Sequence, residues 1–156
     1  MTARKATSGT ASARGKRNRQ KGAEFERWIC SQLKPYYPQV RRNLQPQGGS
    51  AVGNDLANAG PWLIEAKWRQ VCDVTTTLEQ AEADAQTPGY PLAIIRLGRG
   101  KPFVAMRLAT LVSATSEYRD VLGTRMPLSI QAKSAIVRLE WQDFMWIVQS
   151  IERLGK

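Results

Sequence analysis

An α/β fold, a mixed β-sheet flanked by helices, is what the sequence predicts, and three observations carry it. Apolar residues recur at helical spacing in some segments and at a period of two in others. Gly- and Pro-rich breaks separate those segments. Their order, helix, three strands, helix, two strands and a last helix, is that of an α/β sandwich. With 156 residues the chain is long enough for one domain and too short for two comfortable ones.

The first helix is expected over residues 22–34, where Phe25, Trp28, Ile29 and Leu33 fall on one arc, and Pro35 and Pro38 end it. A short strand through residues 40–44 follows. Residues 45–54 are polar and Gly-rich and read as a loop. Residues 55–57 and 62–68 read as two strands joined by turn chemistry at Asn58, Gly60 and Pro61. A second helix is expected over residues 75–86, with the hydroxyls of Thr75, Thr76 and Thr77 available as N-caps and Pro88-Gly89 as its stop. Residues 91–97 and 102–108 form a hairpin around Gly98 and Gly100. A short helix starts near Ala109, residues 113–134 fit no single element, residues 137–140 are a last strand, and Trp141–Leu154 is a helix. Trp62 and Trp68 are candidates for stacking on unpaired bases, although apolar neighbours favour the core for Trp68. The Trp141–Trp146 region offers either a dimer face or the end of the monomer core.

The charge is uneven. The formal net charge is +10, and residues 1–21 hold seven of the 23 basic residues and no acid: Arg4, Lys5, Arg14, Lys16, Arg17, Arg19 and Lys21. Residues 1–20 are therefore expected to be a basic, disordered tail, with one domain over residues 21–156. Such a tail suits phosphate contacts, so nucleic acid is the expected partner. No apolar stretch follows it, so neither a secretory signal nor a membrane span is expected, and the protein reads as cytoplasmic. The same compact, basic-tailed design would fit a virus or mobile element acting in a host cytoplasm.

Two residue counts restrict the chemistry. Two cysteines, Cys30 and Cys72, are too few for a disulfide framework and are expected as buried free thiols. Histidine is absent, which excludes Ser-His-Asp triads, HExxH hydrolases and His/Cys zinc sites. Catalysis must use carboxylates, lysine, hydroxyls or a bound metal ion. The segment Trp62-Leu-Ile-Glu-Ala-Lys-Trp68 supplies such a set. On a strand Glu65 and Lys67 share one face while Ile64, Ala66 and Trp68 share the other. A hairpin through residues 58–61 would bring Asp55 beside Glu65. Two converging carboxylates are the usual protein contribution to a Mg²⁺ site, and Mn²⁺ can substitute. Lys67 would then orient or deprotonate the attacking water. An isolated Glu-x-Lys is common; the added Asp at ten residues' separation is what makes this set less ordinary.

Asn54-Asp55 with Glu65-Ala66-Lys67 resembles the PD-(D/E)XK motif of restriction-like nucleases, with Asn54 in the proline's place. Lys21-Gly22-Ala-Glu-Phe-Glu26-Arg27 is similar to the first-helix motif of archaeal-type Holliday junction resolvases and their viral relatives. The likeness covers roughly residues 21–97. It implies a restriction-endonuclease-like fold, a metal held by Asp55, Glu65, Glu26 and the Ala66 carbonyl, and a homodimer on branched double-stranded DNA. It also implies DNA contacts from Arg27, from Arg41 or Arg42, and from Ser50 in the Gly/Ser loop. Helical geometry alone cannot choose between Glu24 and Glu26, which flank the apolar arc on opposite sides; the family spacing selects Glu26. Arg17, Arg19, Lys21 and Arg69 are further candidates for DNA phosphates, and Gln80 for polar support of the site.

The function expected is a metal-dependent, structure-specific DNA endonuclease resolving four-way junctions. The rivals are a flap, nicking or restriction-like nuclease with the same site, and a non-catalytic basic DNA-binding protein.

Overall fold

Phe25, Ile29 and Leu33 recur every four residues, and in the computed structural model of the chain all three are buried along one helix. The structure describes residues 9–43, 53–85, 87–115 and 134–154. In chain order they form α1 (Gly9–Leu33), β1 (Arg41–Arg42), β2 (Leu56–Ala57), β3 (Trp62–Arg69), α2 (Val74–Ala83), β4 (Tyr90–Leu97), β5 (Phe103–Arg107), α3 (Leu108–Ala114), β6 (Ile136–Glu140) and α4 (Trp141–Leu154).

Four strands make a mixed sheet in the order β3-β4-β5-β6. Strands β3 and β4 run parallel through the α2 crossover, and the other two pairs are antiparallel. Alternation sorts the side chains to two faces. Ile64, Leu92, Ile94, Val104 and Met106 pack with α1 and with Phe144, Ile147 and Val148 of α4. Ala93, Ile95, Phe103 and Ala105 form a second cluster beside Val74, at the start of α2. Helix α2 thus covers one face of the sheet while α1 and α4 cover the other. Among the described residues no helix is long and apolar enough to cross a membrane.

Several boundaries differ from expectation. Helix α1 starts at Gly9 instead of residue 22, so residues 9–20 of the expected tail are helical, and residues 1–8 lie outside the described ones. Ala13, Arg17, Arg19 and Gln20 are good helix formers and no proline intervenes, so nothing ends the helix where its packed half begins. Helix α2 is capped by Asp73, not by a threonine: its Oδ1 accepts the N–H groups of Thr75 at 2.9 Å and Thr76 at 3.4 Å. Starting the helix one residue earlier lets a carboxylate meet its positive end. The two cysteines are free but half-buried instead of buried; burial raises the Cys30 thiol above its ordinary pKa. Trp62 is buried and donates its indole N–H to the Tyr37 hydroxyl at 3.1 Å, which removes it as a stacking platform. Trp141 packs on Trp28 at 4.9 Å, whereas Trp146 is 67% exposed. Of the ambiguous stretch 113–134, residues 116–133 lie outside the described ones.

The expected hairpin between residues 55–57 and β3 is realised only in part. Strand β2 pairs antiparallel with β1, Arg41 opposite Ala57 and Arg42 opposite Leu56. Contact with β3 survives through Asp55, whose N–H donates to the Ile64 carbonyl at 3.0 Å. The turn between them places Asn58 at φ 59° and Gly60 at φ 62°. Gly60 lies against the Tyr37 ring, and a Cβ there would clash with Tyr37 Cε1 and Cζ. Gly60→Ala combines that clash with left-handed backbone strain. It is expected to cost about 2–4 kcal/mol, read as an earlier midpoint in urea unfolding.

Candidate active site

Among the described residues β3 is the first strand of the sheet order, and its outer edge is where the candidate residues meet. Ile64, Ala66 and Trp68 pack toward α1, so alternation sends Glu65 and Lys67 to the opposite face, as the sequence pattern predicts. Glu65 is 2% exposed. A carboxylate so buried needs a charged or hydrogen-bonding partner, and Lys67, two residues along the same face, pairs with Glu65 Oε1 at 2.5 Å.

Asp55 reaches the same edge from the other side. Beyond its N–H bond to Ile64, its Oδ2 accepts the Ala66 N–H at 2.7 Å. One bond joins the backbones and the other ends on the side chain, and together they fix the carboxyl against β3. Burial pushes the Asp55 pKa up to about 6, and the Glu65 charge adds to the rise. The Ala66 N–H and Lys67 act in the opposite direction without cancelling it. Acidic groups held together against their own repulsion are a frequent mark of a functional site. One residue earlier, Asn54 Oδ1 is buried with no hydrogen-bond partner among the described residues, an acceptor that water or a hydrated cation would satisfy.

Above this edge lies an open cleft of about 410 Å³. Asn18, Arg19, Gly22 and Glu26 of α1 form one wall, Arg42 another, and Asp55 with residues 66–69 the rest. Glu65 is buried and does not line it. A smaller cleft of about 300 Å³ continues past it through Lys21, Trp68, Arg69, Gln70 and Val71.

These placements sort the sequence candidates. Between the two helix acids, Glu26 lines the cleft and Glu24 is exposed away from it. Of the arginine pair, Arg42 lines the cleft and Arg41 is exposed outside it. Arg19, Lys21 and Arg69 line one cleft or the other. Arg17 and Arg27 are exposed on α1 without lining either. Ala66 is present in the wall, with its N–H committed to Asp55. Gln80 is exposed on α2 and lines neither cleft, so the structure does not support its role beside the site. Ser50 lies outside the described residues.

Set against known protein families, curated proteins and solved structures, the chain matches none. The chemistry must therefore be read from the site. Among the described residues no group of three or more His, Cys, Asp or Glu side chains is placed to hold a metal ion. Glu26 is otherwise engaged: its Oε2 pairs with Arg42 Nε at 2.6 Å. Asp55 and Glu65, the acids whose charges bear on each other, form a two-carboxylate set, with Glu65 Oε1 also paired to Lys67. Such a set fits a hard divalent cation that keeps most of its waters, because the cation would offset both the burial and the Glu65 repulsion that raise Asp55.

Sequence reasoning missed Asn18 and Gly22 as cleft residues, although residues 18, 22 and 26 stand four apart on one helix face. For Trp68 it favoured the core over stacking on unpaired bases. Trp68 packs on Phe25 at 6.2 Å yet lines both clefts, and its indole N–H donates to the Gly98 carbonyl at 2.7 Å. Arg96 lies 4.6 Å and Lys21 5.7 Å from the ring centroid, so cations already occupy surface that an unpaired base would stack on.

Proposed function

We propose that this chain is a metal-dependent endodeoxyribonuclease acting on branched DNA, specifically a Holliday junction resolvase. One observation carries the reading: Asp55 and Glu65 are held together at an open strand edge, with Lys67 on Glu65, in a chain without histidine. A mixed sheet with helices on both faces is compatible with the restriction-endonuclease-like fold that the motif resemblance implies.

Asp55 and Glu65 are the residues that would hold Mg²⁺ or Mn²⁺, and such an ion supplies an activated water and stabilises charge on the scissile phosphate. The chain's own groups do the remaining work. The Ala66 N–H fixes the orientation of the Asp55 carboxyl. The ammonium of Lys67, whose side chain is 26% exposed, orients the attacking water and offsets negative charge as it develops. Arg19, Arg42 and Arg69 hold backbone phosphates along the cleft, and the basic half of α1 speeds encounter with DNA. Symmetric resolution of a junction requires two sites about a two-fold axis, hence a homodimer. Exposed Trp146 on α4 supports a face that a second copy would cover.

The test is a substrate panel. A labelled four-way junction, a flap and a linear duplex are incubated with the protein, each with Mg²⁺ and with chelator. Paired incisions in the junction, only with metal, are expected. Equal cutting of all three substrates would remove the resolvase assignment and keep the nuclease. Tight binding without any metal-dependent incision would leave a non-catalytic DNA-binding protein.

A further inference from the structure

We propose that Glu26 is a positioning residue for Arg42 and not a metal ligand: it fixes the guanidinium in the cleft wall to grip a substrate phosphate. The inference rests on the nuclease reading above and deepens it. Three features of the geometry support it.

The Glu26 carboxylate is already committed. Its Oε2 accepts from Arg42 Nε at 2.6 Å, a charge-assisted bond between side chains that are only 17% and 27% exposed. Glu65 is paired too, with Lys67, but its charge bears on Asp55 and that of Glu26 does not; as a ligand Glu26 would have to leave a part-buried guanidinium without its anion. Second, no three acids are placed together among the described residues. The charged groups that bear on Asp55 are Glu65 and Lys67, both from β3. Third, the pair uses Arg42 through Nε alone. Among the described residues its two Nη groups have no hydrogen-bond partner, although Arg42 lines the cleft beside Asp55. An arginine anchored through Nε keeps four N–H donors in a fixed plane, which suits two oxygens of one phosphate. The pairing also joins elements distant in sequence, α1 and β1, so Glu26 turns the rigid helix into a support for a residue on a two-residue strand.

The experiment uses the full chain and its Glu26→Ala, Glu26→Gln, Arg42→Gln, Glu26→Ala/Arg42→Gln and Asp55→Asn variants. Mn²⁺ affinity is measured by calorimetry, and four-way-junction affinity is measured without divalent metal. Both Glu26 variants are expected to keep Mn²⁺ affinity within about 2-fold of wild type, whereas Asp55→Asn loses about 10-fold or more. Glu26→Ala is expected to weaken junction binding about 10-fold. Glu26→Gln, whose amide oxygen still accepts from Arg42 Nε, should recover most of that loss. The double variant should bind no worse than Arg42→Gln alone, because the two residues act as one unit. A Glu26→Gln loss of Mn²⁺ affinity as large as that of Asp55→Asn overturns the proposal, and so do additive effects of Glu26→Ala and Arg42→Gln on junction binding. Absence of Mn²⁺ binding by the wild type would instead overturn the nuclease reading, and the metal-free junction measurements would still decide the pairing of Glu26 with Arg42.

Discussion

Asp55→Asn is expected to lower metal-dependent cleavage by about 10³-fold or more while raising the melting temperature at neutral pH. The two effects share one cause. Asp55 is held in a partly buried place beside Glu65, and its pKa is raised from 3.8 to about 6. Between those values the folded chain binds more protons at this group than the unfolded chain does. Stability from this group therefore falls as pH rises from about 4 to about 6 and stays low above that. An asparagine removes the charge, keeps an oxygen for the Ala66 N–H and offers Glu65 an amide donor. The variant should melt roughly 2–6 °C above wild type at pH 7.5, with the gap closing near pH 4. Adding Mn²⁺ should raise the wild-type melting temperature and leave the variant's unchanged. Thermal scans across pH, with and without Mn²⁺, read all of this. A variant that melts lower than wild type at pH 7.5 would contradict the account of Asp55 as a group strained for function.

Lys67→Ala is expected to damage both stability and activity. Lys67 is the ion-pair partner of Glu65, whose side chain is 3% exposed. Removing it strands a buried carboxylate, which costs about 3 kcal/mol. Lys67→Ala/Glu65→Gln should regain most of that stability because no unpaired charge remains, yet stay inactive because both groups proposed to act in cleavage are gone. Chemical unfolding of the two variants separates the cases. If the single and double variants are equally unstable, the lysine's role is packing and the ion pair contributes little.

What could be read from the chain divides by distance along it. The alternation of Trp62 to Trp68 carries the two-faced character of β3, and Glu65 and Lys67 fall on the expected face because a strand leaves no other choice. The buried arc of Phe25, Ile29 and Leu33 and the hairpin about Gly98 are also local patterns, and both occur. Pairings set by tertiary packing were not legible. Strand β2 takes β1 as its partner, which periodicity within a strand cannot foretell. The bond from Arg42 to Glu26 spans 16 residues and joins a strand to a helix, so neither segment signals it alone. Gln80 is exposed on α2, which turns Thr77, Leu78 and Ala81 inward, and it lines neither cleft. The basic run of residues 9–20 looks like a tail by charge, yet its backbone propensity is helical. Charge composition and helix propensity answer different questions there.

The central claim is that two carboxylates at the β3 edge operate a metal-dependent cut. Its most direct test is the initial rate of cleavage of a labelled four-way junction against Mg²⁺ concentration, for wild type and Glu65→Gln. The account predicts no cleavage in chelator, a wild-type rate that rises and saturates with Mg²⁺, and a variant at least about 10²-fold slower at every concentration. Cleavage in chelator, or a Glu65→Gln rate equal to wild type, would contradict it.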